Sequence, residues 1–471
     1  MKVLVINCGS SSLKYQLIDM EGERVLCKGL CERIGIEGSK ITHKANGGEW
    51  EQEVPFPTHT EAFMKVVEMM TSGEGAVVKD KSEISAIGHR VVQGAEFFTK
   101  SEIVTDAIID KIEEIAPLAP VHNMAHVQGR RSAKAVFGEK VPNVVVFDTT
   151  FHQTMPKKAY MYGVPYEMYE KYSIRRYGAH GTSHRYVSMA AAQYLNDSDL
   201  KMVTCHLGNG SSISAVNAGK CVDTSMGLTP LAGVLMGTRC GDIDPSVVTY
   251  MEQKLGFHGQ EMADYLNKKS GLLGISGVSS DMRDVTSAAD AGNERAKLAT
   301  EMLAYQIKKY VGSYAAAMGG LDCLVFTGGI GENDNRVRAS VCENMGFLGI
   351  SVDPAKNQQR TSDILDISGK GSRVKVLVVC TNEELRHQGS GGSTPLTPPF
   401  PFDKPEAPCR ISTRQGAFHF SDCSQRRFRF CACAARRCAS EHKAPLPALG
   451  APDSIPAAGR HAACTPAHTA P

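Results

Sequence analysis

Apolar residues follow two rhythms along the first 385 positions. Short alternating or unbroken aliphatic runs mark strands, and longer stretches with apolar side chains three and four apart mark helices. Residues 1–30 read as strands around turns, with Val3, Leu4, Val5 and Ile6 unbroken, Leu13, Tyr15 and Leu17 alternating, and Met20-Glu21-Gly22-Glu23 as the second turn. Glu61, Phe63, Met64, Val67 and Met70 predict a helix near 60–71, Ile84–Ile87 a short strand, and 124–137 a second helix. Val144-Val145-Val146-Phe147 reads as a buried strand ending at Asp148. The second half predicts strands at 202–207 and 212–217 and helices near 245–255 and 293–318. A strand Leu321–Phe326 then leads into a turn from Thr327 to Asn333.

The plan occurs twice. Val3-Leu4-Val5-Ile6-Asn7-Cys8-Gly9-Ser10-Ser11-Ser12-Leu13-Lys14 returns, altered, as Val203-Thr204-Cys205-His206-Leu207-Gly208-Asn209-Gly210-Ser211-Ser212-Ile213. Each copy is a strand, a turn of Gly and hydroxyl residues, and a second strand. Such a turn can aim backbone N–H groups at an anion, with Ser hydroxyls as further donors. Neither copy fits GxxxxGK[ST] or GxGxxG, so neither is a P-loop or a dinucleotide fingerprint. Repeated βββαβα halves with a cleft between them fit a duplicated, two-lobed ribonuclease H-like α/β fold, that of the actin-like ATPases. The expected divisions are an N-terminal lobe, 1–150, a C-terminal nucleotide-binding lobe, 151–385, and a tail, 386–471.

Composition separates the tail from the rest. Up to Leu385 there are 41 basic and 45 acidic residues, a net −4, and from Arg386 onward 11 and 5, a net +6. The mildly acidic body argues against a nucleic-acid footprint. No signal-peptide core follows Met1-Lys2 and no run of 18 apolar residues occurs, so a cytoplasmic protein that does not engage membranes is expected. Nine cysteines up to Cys380, without CxxC spacing, read as reduced, buried thiols. The tail holds 12 of 22 prolines and no apolar period, and disorder is expected there. Its texture resembles translation in a shifted reading frame or an altered terminal exon.

Some residues carry chemistry in their own right. Asn7 offers an amide oxygen to a hydrated cation, and Lys14 a point charge to phosphate. Arg90 and Arg239 present planar forks suited to carboxylate or phosphoryl oxygens, although a lone Arg more often forms a surface ion pair. Asp148, just past a strand end, stands where open α/β folds hold ligands, or else N-caps the next segment.

Taken together, Asn7–Lys14, Gly88-His89-Arg90-Val91-Val92, His206-Leu207-Gly208-Asn209-Gly210, Met236 through Pro245 and Gly328-Gly329-Ile330-Gly331-Glu332-Asn333 resemble the acetate kinase family, in order, from residue 1 to about 385. The resemblance implies reversible, Mg2+-dependent transfer of the ATP γ-phosphoryl group to acetate, giving acetyl phosphate and ADP, in a homodimer. It implies that Arg90 and Arg239 flank the moving group with His180 and His122 nearby, and that Asp148 is the acid/base. Acetate is already ionised at neutral pH, so positioning Arg90 or ordering the magnesium and its waters suits Asp148 better. Nucleotide contacts fall on Ser10, Ser12, Lys14, His206, Leu207, Gly208, Asn209 and Gly210. They extend to Asp281, Met282 and Arg283 and to Gly329, Ile330, Gly331, Glu332 and Asn333. Asn7 and Glu383 match the metal positions. Val92, with Leu118 and Pro120 as neighbours, would form a slot for the acetate methyl group.

Three residues depart from the family pattern: Gln93, Cys8 and Cys240. A Cys8 thiol among phosphate donors would be activated by positive surroundings. The tail replaces an expected terminal helix. Alternatives to acetate kinase are a propionate or butyrate kinase, an actin- or chaperone-like ATPase switch, and a family member inactivated by its altered end.

Overall fold

A computed structural model describes residues 1–380 except Glu23, Ala119 and Glu139, and leaves the side chains of Pro120, Val121 and His122 undescribed. Two mixed sheets organise the chain. The first contains β1 (Lys2–Cys8), β2 (Ser12–Asp19), β3 (Arg24–Glu32), β4 (Lys40–Ala45), β5 (Gly48–Glu53), β6 (Ile84–Val91), β7 (Glu102–Ile103) and β8 (Asn143–Phe147). Their order is β5-β4-β3-β2-β1-β6-β8-β7. The second contains β9 (Lys201–Leu207), β10 (Ser211–Asn217), β11 (Lys220–Thr224), β12 (Cys323–Thr327), β13 (Ile364–Asp366) and β14 (Lys375–Val379), in the order β11-β10-β9-β12-β14-β13.

The duplication seen in the loops extends to the topology. In each sheet an antiparallel meander, β1-β2-β3 or β9-β10-β11, is followed by two strands parallel to its first member, β6 and β8 or β12 and β14. An antiparallel edge strand closes each, β7 on β8 and β13 on β14. The carboxyl ends of β1, β6 and β8 therefore line up, as do those of β9, β12 and β14. Ligands of open α/β sheets bind at such ends.

Helices cover the parallel strands. The first begins at a capping box: the Thr58 hydroxyl accepts from Thr60 N and the Glu61 carboxylate accepts from Thr58 N at 2.9 Å. It runs His59–Thr71 and packs Phe63, Val66 and Met70 against Leu4 and Ile6 of β1. In the second half the long helix Glu294–Met318 sets Leu303, Ile307 and Val311 on Val203, Leu324 and Phe326. Helix Gly181–Leu195 covers Met202, Val325 and Leu377 with Val187 and Ala191. With both faces covered, β12 reads as an apolar run from Cys323 to Phe326, whereas β9 is interrupted by Thr204 and His206. Each fully buried aliphatic side chain contributes about 1.5–3 kcal/mol.

Segment 327–333 differs from its predicted turn. Gly328–Asn333 is a short helix, held because Glu332 Oε1 accepts from Gly328 N at 3.0 Å and the buried Arg338 Nη1 donates to the Gly331 and Glu332 carbonyls at 2.9 Å. Among the described residues no helix is long and apolar enough to cross a membrane. The expectations for Glu383 and for the tail concern residues outside those described.

Candidate functional site

Arg90 and Asp148 stand at the ends of adjacent parallel strands, because β6 pairs with β8 through Val91 opposite Phe147 and Asp148 N donates to Val91 O at 2.9 Å. The guanidinium grips the carboxylate: Nε donates to both oxygens at 3.1 Å and Nη2 to Oδ2 at 2.6 Å. Asp148 is 1% exposed, whereas the Arg90 side chain keeps 39% of its surface open. The carboxylate thus fixes the direction of a partly open cation.

The second half meets this pair through its backbone. Gly181 N donates to Asp148 O at 2.9 Å, so close that a Cβ at Gly181 would stand 2.1 Å from that oxygen. Just before it, His180 is the N-cap of helix Gly181–Leu195 and holds a left-handed backbone, φ 58°. Its ring lies on that of His206, with centroids 4.3 Å apart. Burial, with His206, Arg90, His184 and Arg239 around it, holds His180 well below the usual histidine pKa. Burial and Arg90 push His206 down to about 4, against the pull of Asp148. Both rings are therefore neutral at physiological pH, in a field dominated by guanidinium charge.

Arg239 completes the group. A Cβ built on Gly210 would lie 3.4 Å from Arg239 Nη1 and 3.6 Å from His180 Cε1, so that glycine admits both side chains to one place. Arg239 donates to Pro230 O at 3.3 Å and has no carboxylate partner among the described residues; burial lowers its pKa. A half-buried guanidinium without a counterion favours an incoming anion.

The two loops are built differently. The first closes through Gly9 N to Ser12 O, 2.8 Å, with Gly9 O accepting from the ring of His59. Asn7 and Lys14 face each other across the β1–β2 pair, on the same side of the sheet, and Ser10 is exposed. Cys8 is not an activated thiol: it is buried and desolvation pushes it up to about 12. In the second loop, the Ser211 hydroxyl bonds Gly208 and the Ser212 hydroxyl is buried against His180 and His184, so neither is a free donor to an anion, contrary to what the loop's composition suggests. Asn209 is exposed, and its carbonyl accepts from Gly237 N at 2.9 Å.

The remaining candidates divide by burial. Met282 and Leu207 have their side chains in the core, leaving only backbone groups to reach a ligand. Asp281 caps helix Met282–Asp290 and is pushed to about 2 by Arg283, whose side chain is 89% exposed. Ile330 packs on the core, Glu332 turns back on its own helix, and Gly329 and Asn333 are exposed beside β12, whose Thr327 pairs with His206. Val92 is half-buried, while Leu118 packs with the core around Val91 and Phe147. His122 begins helix Pro120–Phe137, but its side chain, like Pro120 and all of Glu383, lies outside the described residues. Sequence reasoning assigns no role to His184, Ser183 or Thr204; for His184 the available signal is its four-residue spacing from His180, and Ser183 and Thr204 carry none.

The duplicated sheet pair is the arrangement of the actin-like ATPase fold, and two guanidiniums beside one glycine loop suit the phosphotransferases among its members. The family model described as the acetokinase family matches residues 2–387, and the chain belongs to that family. It is 54% identical over 387 residues to the acetate kinase of Pseudothermotoga lettingae, covering 82% of this chain and 95% of that one. The acetate kinase of Clostridium acetobutylicum is 53% identical over 388 residues, covering 82% of this chain and 96% of its own length. Among solved structures, Porphyromonas gingivalis acetate kinase superposes with a TM-score of 0.78 at 46% identity, over 81% of this chain and 96% of that one. A propionate kinase from Francisella tularensis gives 0.76 at 43%, over 81% and 97%.

Proposed function

We propose that this chain transfers the γ-phosphoryl group of ATP to acetate, reversibly, giving acetyl phosphate and ADP. The observation that carries the reading is the pair of guanidiniums: Arg90 aimed by Asp148, and Arg239, with no carboxylate partner among the described residues, beside Gly210. An acetate oxygen attacks the γ-phosphorus in line, the bond from that phosphorus to the bridging oxygen breaks, and ADP leaves with the electron pair. Charge builds on the three equatorial oxygens, where planar cations stabilise it. Acetate enters ionised, with a pKa near about 4 to 5, so no base is required. Asp148 orients Arg90, Val92 borders the methyl group, and the nucleotide lies along 208–210, 281–283 and 329–333.

A magnesium ion would neutralise charge between the β- and γ-phosphates. Among the described residues no three His, Cys, Asp or Glu side chains gather into a cage for it. That fits an ion held mostly by phosphate oxygens and water, with the Asn7 amide as protein donor. Glu383 is the other proposed ligand. The family reading also assigns a homodimer in the cytoplasm.

Arg239→Ala tests the reading. Acetyl phosphate formation should fall by about 100- to 1,000-fold; unchanged turnover would overturn it. The likeness to a propionate kinase favours a second reading in which propionate is the acceptor. One methylene is worth about 1–3 kcal/mol of discrimination, so kcat/KM for acetate and propionate decides between them.

A further inference from the structure

Behind Arg239 and Gly210, four side chains form one hydrogen-bonded line. His180 Nδ1 lies 2.9 Å from Ser212 Oγ, Ser212 Oγ lies 2.7 Å from His184 Nε2, and His184 Nδ1 lies 2.8 Å from Thr204 Oγ1. Thr204, His184 and Ser212 are each 0% exposed. Their meeting comes from parity: Thr204 pairs with Ser214, and His206 with Ser212, so these residues share one face of β9 and β10. Helix Gly181–Leu195 brings His184 onto that face, one turn after His180.

We propose that Thr204, His184 and Ser212 form a buried chain that keeps the proton of a neutral His180 on Nε2, making that nitrogen a hydrogen-bond donor to a phosphoryl oxygen in the cleft. The proposal rests on the reading that the moving group sits between Arg90 and Arg239. The direction comes from counting protons. Thr204 Oγ1 has two acceptors in reach, His184 Nδ1 at 2.8 Å and Ser214 O at 3.5 Å, and the shorter contact takes its proton. A neutral imidazole has one N–H, so His184 carries its proton on Nε2 and donates to Ser212. The Ser212 hydroxyl then donates to His180 Nδ1, which leaves the His180 proton on Nε2.

The reverse arrangement would strand the Thr204 proton on the 3.5 Å contact and turn a lone pair toward the phosphoryl oxygens. His180 Nε2 has no hydrogen-bond partner among the described residues and lies beside Gly210 and Arg239 Nη1. Burial and the surrounding positive charge keep the ring neutral, so its usefulness as a donor depends on which nitrogen holds the proton. Ser212, His184 and Thr204 are positioning residues, and His180 is the catalytic residue they serve.

Histidine-15N spectra of the full chain test this, with His180 assigned by the loss of its signals in His180→Gln. At neutral pH, His180 should show a protonated Nε2 and an unprotonated Nδ1. Ser212→Ala should move proton occupancy toward Nδ1 and lower kcat by about 10- to 100-fold, with the KM for ATP unchanged within about twofold. Ser212→Thr, which keeps the hydroxyl, should restore both. Thr204→Val, which keeps the shape and loses only the hydroxyl, should shift the proton in the same direction and serves if Ser212→Ala does not fold. An unprotonated Nε2 in the wild type, or variants with the wild-type spectrum and kcat, would overturn the proposal. Wild-type turnover in His180→Gln would instead overturn the placement of the phosphoryl group.

Discussion

Replacing Asp148 with asparagine separates orientation from proton transfer. The carboxylate receives three contacts from Arg90, two at 3.1 Å and one at 2.6 Å, at a position 1% exposed. Asparagine keeps the shape and one acceptor, removes the charge, and sets an NH2 group against the guanidinium. Hydrogen bonds to charged groups contribute about 1.5–3 kcal/mol each. Arg90 is 39% exposed, so water recovers part of the loss, and the net cost of misaligning it is about 2–4 kcal/mol. At about 1.4 kcal/mol per factor of ten, kcat/KM for acetate should fall about 30- to 1,000-fold. Stability should fall too, because Arg90 loses its counterion, and its 39% exposure moderates that loss. The assay traps acetyl phosphate with hydroxylamine while both substrates and pH are varied. Orientation predicts a loss of the same size from about pH 6 to about 9, since acetate is ionised throughout. Turnover within about threefold of wild type would refute the reasoning. So would a wild-type profile whose acidic limb disappears in Asp148→Asn, because that is the behaviour of a base.

Two further outcomes come from packing and burial. Gly237→Ala would place a Cβ 1.6 Å from Asn209 Oδ1 and 2.9 Å from the backbone oxygen of Ser280; overpacking of this kind costs about 1–3 kcal/mol. The KM for ATP should rise more than the KM for acetate, and equal KM values before and after would detach Asn209 from the nucleotide. His89 and His152 are buried, and that burial pushes each down to about 4, against about 6.5 in an unfolded chain. The native state holds them neutral, so between those values the unfolded chain binds the extra protons. Their contribution is complete above about pH 6.5 and is lost as pH falls, by about 1.4 kcal/mol per histidine per pH unit, down to about pH 4. Urea unfolding at pH 7 and about pH 5 should therefore differ by roughly 2 kcal/mol for each of the two; a flat profile would show that they are not neutral when folded.

What the sequence made legible is what repeats or alternates. The strand–turn–strand copies announced both sheets, and the run Val144–Phe147 placed Asp148 just past a strand end; β6, however, continues to Val91, four residues beyond the strand predicted at Ile84–Ile87, and parallel pairing sets its Arg90 beside Asp148. The short helix Gly328–Asn333 escaped because six residues with three glycines carry no helical signal, and its support comes from Arg338, which lies beyond it in the chain. The left-handed turn at His180 was equally silent, since no local preference requires it. The most instructive error concerns the serines of the second loop. Composition says that hydroxyls lie near an anion site; it does not say which side of the strand they occupy. A strand shows successive side chains to opposite faces, and a shift of one residue exchanges the two sets. Ser212 pairs with His206, and this register sets its hydroxyl between the rings of His180 and His184, which occupy it. The same residue that looked like a direct phosphate donor is thereby placed to act on the phosphate through an imidazole, a role that only the register, and not the residue type, could assign.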